Sequence, residues 1–343
     1  MRLRFILAVV VSLSWTVNAQ ENKPAQLVFR AFGDVNLGRS VGQELLKGNV
    51  DYPFENAGWI SQGADVVFVN LESQLTEQGG ETQNPRDNFA FCGPPVGSVT
   101  LKNAGIGIVS TANNHAYDYG MRALQETVEY LLRDGIRYVG TSKDSVGKFS
   151  PVIFEKDGIR LSVLAYTEFV NRKGAWQGRI SLFDRKRART EIESARRFSD
   201  VVIVSYHGGT EYTEEPSKFA QAQMRYLSDI GADIVIGHHP HVPQGIEERK
   251  GRYIFYSLGN FVFYQPQHVW TQFGIGVELH VVKTDQTVTV GSLKIIPIRA
   301  GKQPSVLLSE EESERIRERL QRFSNVNINR EDSYFTVHMR SHD

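Results

Sequence analysis

Five stretches of this sequence place carboxylates, amides and imidazoles directly after short apolar runs. They are Gly33-Asp34-Val35-Asn36, Asn70-Leu71-Glu72, Ala112-Asn113-Asn114-His115, Tyr206-His207-Gly208-Gly209 and Gly237-His238-His239-Pro240-His241. Ionised carboxylates and neutral imidazoles are the ligands of borderline divalent ions, and an Asn amide oxygen can fill a further position. A carboxylate can also bridge two ions. Two metals roughly 3.5–4 Å apart clamp an oxyanion and bring the pKa of a bound water toward about 7, so hydroxide becomes available near neutrality. The chemistry these residues suit is metal-assisted hydrolysis.

Each residue also has a plainer reading. Asp34, following a strand, would serve as a helix cap, and Asn113 with Asn114 would make a turn, because Asn tolerates left-handed backbone. One isolated histidine is more often structural. Three within four residues at a strand end are harder to explain that way, since imidazole is costly to bury unless it is paired or ligating. His238 faces away from His239 and His241 along an extended backbone, so of the three it is the one assigned a structural role.

These stretches need elements that bring them to one place. The apolar runs Gln26 to Phe32, Asp65 to Val69, Gly105 to Ser110, Leu161 to Ala165, Val201 to Ser205 and Ile234 to Ile236 read as strands buried on both faces. Between them, Met121 to Arg133, Arg187 to Phe198 and Lys218 to Ile230 carry apolar residues at helical spacing. Such alternation makes βαβ units, whose parallel strands gather chemistry beyond their carboxyl ends. After Gly237, the runs Tyr253 to Tyr256, Gly274 to Lys283 and Thr287 to Arg299 follow without a helix and read as antiparallel. The combination predicts an α/β fold, a four-layer αββα sandwich of two packed mixed sheets. One domain is expected over 20–323, closed by a charged helix from Glu310 to Phe323, with a polar, peripheral tail over 324–343. The polar segment Glu77 to Pro95 is expected to loop over the rim.

Composition narrows the function classes. The 343 residues are 41% hydrophobic, enough for a globular core. Lys and Arg total 39 against 39 Asp and Glu, so the basic footprint of a nucleic-acid binder is missing. Met1-Arg2-Leu3-Arg4, the apolar Phe5 to Trp15 and the small residues around Val17-Asn18-Ala19 form the pattern of a signal peptide over 1–19. The run is too short for the roughly 20 apolar residues of a spanning helix. An exported chain starting near Gln20, periplasmic or extracellular, is expected, with an uncleaved N-terminal anchor as the alternative. Cys92 is the single cysteine, so no internal disulfide forms, and its neighbours offer no charge to activate the thiol.

Taken in order, Gly33 to Arg39, Asn70 to Glu72, Ala112 to Gly120, His239 to Gln244 and Tyr256 to Phe261 resemble the signatures of poly-γ-glutamate capsule-synthesis proteins of the CapA type. They span about Phe29 to Phe263. That family in turn resembles calcineurin-like metallophosphoesterases, which implies a sandwich of their type with a dinuclear site. The resemblance implies Asp34, Glu72, Asn114, His207, His239 and His241 as metal ligands, with Glu72 in the bridging place and His115 as the acid. Glu211 and Tyr212 are retained from the family, and they join Arg39 as candidate substrate contacts. Arg86, Arg172 and Lys173 are further candidates for an anion. Two departures matter. Asn36 stands where the phosphoesterases carry a His, which predicts that one metal is weakly bound or absent, and Gly208 stands where the capsule family carries a Trp, which predicts a more open mouth or a change in what stacks there.

The implied cofactor is a divalent transition metal, manganese, iron or zinc, with two ions expected. The implied partners are an anionic polymer or a phosphoester, together with the membrane machinery of polymer synthesis. An exported protein of capsule or exopolymer biosynthesis with a metal-dependent hydrolase-type site is the first reading. A secreted phosphoesterase unrelated to capsule and a non-enzymatic polymer-binding module are the alternatives.

Overall fold

Residues 24–78, 89–142, 149–284, 287–306 and 309–339 are described in a computed structural model of the chain. The expected signal segment and Arg86 lie outside them. The first half runs β1 (Ala25–Val35), α1 (Arg39–Leu46), β2 (Val66–Leu71), β3 (Gln74–Leu75), β4 (Cys92–Gly93), α2 (Gly97–Asn103), β5 (Ile108–Ser110), α3 (Gly120–Arg133) and β6 (Arg137–Val139). Next come β7 (Val152–Lys156), β8 (Ile159–Thr167), α4 (Arg185–Arg196), β9 (Val201–His207), α5 (Lys218–Asp229), β10 (Ile234–His238), β11 (Ile246–Arg249) and β12 (Arg252–Phe255). The chain closes with β13 (Asn260–Val262), β14 (Phe273–Thr284), β15 (Thr287–Arg299), β16 (Ser305–Val306), α6 (Glu310–Arg322), β17 (Val326–Arg330) and β18 (Phe335–Met339).

Two mixed sheets result. One has ten strands in the order β17-β18-β15-β14-β1-β2-β5-β6, with β13 beside β1 and β16 beside β15. The other has six, β11-β12-β10-β9-β8-β7. Alternation decides which faces meet. Along β2, Val66 and Phe68 join the cluster between the sheets, whereas Val67, Val69 and Leu71 join the one on the outer face. The central cluster links Phe29, Phe68 and Val277 to Leu161, Ile203 and Phe255 of the other sheet. Outside, Val67 and Val69 pack with Leu45, Leu101 and Leu131 of α1 to α3, and Val202 and Val204 pack with Ile192, Met224 and Leu227 of α4 and α5. The expected αββα sandwich is therefore present. Each large buried side chain stabilises it by about 1.5–3 kcal/mol, and truncating fully buried Phe68 to Ala would cost about 3–5 kcal/mol.

Local sequence sets the helix limits. Asp184, Ser217 and Ser309 accept the backbone N–H of Arg187, Ala220 and Glu312, which caps α4, α5 and α6. The Asp184 cap is why α4 begins at Arg185 and not at Arg187.

Three expectations are corrected. The tail beyond residue 323 is not peripheral: β17 and β18 pair with each other, β18 pairs with β15, and Val326, Ile328 and Phe335 are at most 1% exposed. Its polar residues occupy the alternate positions of β17, so the average composition hid a buried face. The part after Gly237 is also not wholly antiparallel, because β12 runs parallel to β10 and β13 parallel to β1. Finally, the segment Glu77 to Pro95 is not loop throughout. Its described end carries β4, paired with β3, where Cys92 is buried with its Sγ 3.6 Å from the Gly93 carbonyl.

Candidate metal centre

Register brings the polar strand ends to one rim. Asp34 pairs with Asn70 across β1 and β2, and His207 pairs with His238 across β9 and β10. Gly33 makes the first of these ends possible. A Cβ there would lie 1.8 Å from the Gly259 carbonyl oxygen, so only glycine lets Asp34 donate its N–H to that oxygen at 3.0 Å.

Glu72 occupies the middle of the rim, fully buried. Its Oε1 lies 3.7 Å from His241 Nε2, 3.9 Å from His115 Nε2 and 4.0 Å from His207 Nε2, yet neither carboxylate oxygen has a hydrogen-bond partner among the described residues. Asp34 is as deeply buried. Its Oδ2 accepts the His239 N–H at 3.3 Å and sits 3.3 Å from His241 Nδ1, while Oδ1 accepts from Asn70 Nδ2 at 2.8 Å and lies 3.2 Å from His238 Nδ1. Asn114 Oδ1 is 2.8 Å from His207 Nε2. Two overlapping triads, Glu72 with His207 and His239, and Asp34 with Glu72 and His241, each gather their ligand atoms within 4.8 Å. Glu72 belongs to both.

The electrostatics of the cluster are unbalanced. Burial and the neighbouring Asp34 push the Glu72 carboxyl well above its ordinary range. Burial acts the same way on Asp34, but hydrogen bonds to His238 and His241 outweigh it and hold that carboxyl well below the usual range. Burial, with His239 beside it, holds His207 well down, and burial with His241 brings His239 down to about 3. His241 is the exception: Glu72 and Asp34 overcome burial and raise it to about 9. A buried carboxylate without a donor is costly, and a cation held by the two triads would supply the missing charge. Neutral His207 and His239 are already in the form that ligates. The donor set therefore fits divalent metal.

Backbone strain concentrates at the same place. His239 has φ 97°, His241 φ 60°, Arg39 φ 51° and Tyr212 φ 63°, in the left-handed region that L residues with side chains avoid. His238 is therefore not set apart by alternation. The chain is not extended through His239 and His241, and His238 faces Asp34, with its ring centroid 6.2 Å from that of Phe68.

His115 is held from two sides. Its Nδ1 lies 2.6 Å from Asp118 Oδ2, an acceptor, so Nδ1 carries the proton and Nε2 faces Glu72 and Asn171. Phe91 stacks on the ring at 3.8 Å and donates its own N–H to the same Asp118 oxygen. The Arg39 guanidinium lies 4.4 Å over Phe91 and 5.7 Å from Phe263. Tyr212 stacks on His268 at 4.4 Å, with His241 6.1 Å away, and burial together with Glu211 raises its hydroxyl to about 12. Glu211 itself is exposed, as are Arg172 and Lys173.

The sequence reading left several contributors without a role. Asn70 Nδ2 bridges Asp34 and His207 Nδ1, the latter at 3.2 Å; Asn113 Nδ2 holds the Leu71 carbonyl at 2.8 Å; Asn260 Oδ1 meets His241 Nδ1 at 2.9 Å. Asn70 precedes Glu72 by two residues and Asp118 follows His115 by three, so the spacing was available. Asn36 lies outside both triads, its Oδ1 accepting the Gly38 N–H at 2.8 Å at the entry to α1. Gly208 does not open the site. A Cβ there would lie 2.5 Å from Glu168 Oε2, because Glu168 fills that space and accepts from Gly209 N and the Tyr206 hydroxyl.

Fold and rim define a two-sheet α/β sandwich with a buried Asp, Glu and His cluster at the ends of its parallel strands. The chain belongs to the bacterial capsule synthesis protein PGA_cap family, whose pattern matches residues 28–265. It is 31% identical over 245 residues to the PGA biosynthesis protein CapA of Bacillus subtilis (strain 168), covering 70% of this chain and 63% of that one. With the capsule biosynthesis protein CapA of Bacillus anthracis it shares 29% over 284 residues, covering 79% and 68%. The match thus spans less than two thirds of the first relative. Among solved structures it is similar to the calcineurin-like phosphoesterase YfkN from Bacillus subtilis, with a TM-score of 0.45, 15% identity, and coverage of 88% and 97%.

Proposed function

We propose that this protein is exported and works in capsule or exopolymer biosynthesis, acting on an anionic polymer of the poly-γ-glutamate type through a metal-dependent hydrolase-type site. The observation that carries the chemistry is Glu72, buried, central to both triads and without a hydrogen bond to either oxygen. Asp34, Glu72, Asn114, His207, His239 and His241 would hold two divalent ions. Bound there, the ions would supply Lewis acidity and an ionised water near neutral pH. His115, oriented by Asp118, would hold the proton for a leaving group at Nε2. Arg39 and Tyr212, on the stacked aromatic border, would contact the anion, with Glu211 beside them. The capsule role is supported by membership of the family, and the names of the Bacillus relatives point the same way.

Metal quantification on the purified protein, run beside a panel of phosphoesters and γ-glutamyl polymers, tests this reading. Wild type should hold transition metal and turn over a polymer or ester. The paired substitution His239→Ala with His241→Ala should strip the metal and leave the circular-dichroism spectrum unchanged, because these strand-end rings lie outside the main apolar clusters. Metal uptake without turnover on any substrate would favour the binding module, and turnover confined to small phosphoesters the secreted phosphoesterase.

A further inference from the structure

A second polar site lies behind the loops that carry the rim. Arg315, Arg319 and Arg322 follow one another at positions i, i+4 and i+7 of α6, so they share one face of the helix. Together with Trp270 and Phe323 they line a cavity of about 150 Å³. Arg319 is only 5% exposed. Its Nε donates to the Pro243 carbonyl at 2.8 Å and its Nη1 to Glu214 at 3.1 Å, but its buried Nη2 has no hydrogen-bond partner among the described residues. The Arg319 guanidinium carbon lies 4.3 Å over the centroid of the Trp270 ring, with that of Arg315 5.5 Å from the same ring.

Cations in the last turn of a helix complement its dipole, but that does not explain a guanidinium carried inside with one donor edge unmatched. Leaving such a group buried and unsatisfied is destabilising. Three guanidiniums face two carboxylates here, Glu214 and Glu318, and Glu214 is already engaged by Arg319. The aromatic wall suits a short apolar stem, and the open donors suit a planar carboxylate. A neighbouring groove of about 420 Å³ shares Arg322 and Phe323 with the cavity and is lined also by Glu215, Glu247 and Arg225, the last already paired with Glu247.

We propose that this cavity is a carboxylate-binding subsite that docks one repeat of an acidic chain, separate from the metal-type cluster. That the chain is γ-linked glutamate rests on the function proposed above. Through Pro243, two residues past His241, and Glu214, two past Tyr212, an occupied subsite would bear on both loops of the rim.

Calorimetric titration of the full chain with a short γ-linked oligoglutamate tests the subsite. Arg315→Gln and Arg322→Gln alter exposed residues, so they should keep the wild-type melting temperature while weakening binding roughly tenfold each. Arg319→Lys should weaken it further, and the double His239→Ala, His241→Ala variant should still bind the oligomer. Oligomer binding that is unchanged in all three arginine variants would overturn the subsite and leave the polymer reading standing. No binding by wild type would overturn both. Inorganic phosphate displacing the oligomer at equal or lower concentration would overturn the assignment to carboxylate.

Discussion

Glu72 and Glu278 are both buried carboxylates, 0% and 5% exposed, and the protein treats them in opposite ways. Glu278, on the outer face of β14, is completed by its neighbours. Its Oε2 accepts from Arg30 Nε at 2.5 Å, its Oε1 lies 2.6 Å from His280 Nε2 and 3.3 Å from Lys294 Nζ, and Arg30 in turn donates to the Trp59 carbonyl. Burial would raise its pKa, but His280 and Arg30 overcome that and bring it down to about 2. Glu72 has no hydrogen-bond donor among the described residues, and its pKa moves up. A carboxylate satisfied from within contributes to holding the sheet together. One left open at the centre of five strand ends is arranged for something that is not protein. The strained φ values of His239 and His241 fall on the second side of that division.

If the division is real, rim substitutions should change chemistry and spare stability, and substitutions around Glu278 should do the reverse. The largest effect expected is on turnover. His115→Ala should keep its metal and lose about 10²- to 10⁴-fold in rate, least on substrates whose leaving group needs no proton. Equal losses on good and poor leaving groups would remove the acid role, and loss of metal would make His115 a ligand.

Glu278→Gln should cost about 2–3 kcal/mol of stability at neutral pH with activity per folded molecule unchanged. Solvent reaches His280 and Lys294, which are 29% and 31% exposed, so the lower end is expected. The folded pKa lies below the ordinary carboxylate value. The contribution is therefore fully present above that value of about 4.3 and is lost as pH falls through about 2. Denaturation curves for both proteins should converge over that window, and a constant gap down to the lowest pH would contradict the assignment.

The smallest effect separates packing from ligation at the rim itself. Gly208→Trp should collide with Glu168 and cost about 1–2 kcal/mol, with part of the loss recovered when Glu168→Ala is added. No recovery in the double variant would show that the two side chains do not compete for one space.

The sandwich was legible in the sequence because its strands are short apolar runs separated by helices of clear period, and the candidate ligands were legible because each follows such a run. The tail was not. Val326, Ile328 and Phe335 are apolar residues scattered in a polar stretch, and only their alternation, which average composition erases, marks β17 and β18. Asp34 and Glu72 could be named from sequence. The contrast between Glu72 and Glu278 could not, because it depends on which donors the fold brings to each carboxylate: Arg30 is 248 residues from Glu278 in the chain. The subsite along α6 was hidden in the same way, since Glu310 to Phe323 reads as a charged surface helix until Arg319 is seen to be buried.

Thermal unfolding of Glu72→Gln, with and without added manganese or zinc, tests the central claim most directly. Without metal the variant should be at least as stable as wild type, because a buried carboxyl with no hydrogen-bond donor is replaced by a neutral amide of the same shape. Saturating metal should stabilise wild type, by about 2.7 kcal/mol at a hundredfold excess over the dissociation constant, and leave the variant unmoved. A metal-free variant that loses stability as Glu278→Gln does, or a wild type whose unfolding ignores both metals, would show that Glu72 is a structural carboxylate and that the rim is not a metal centre.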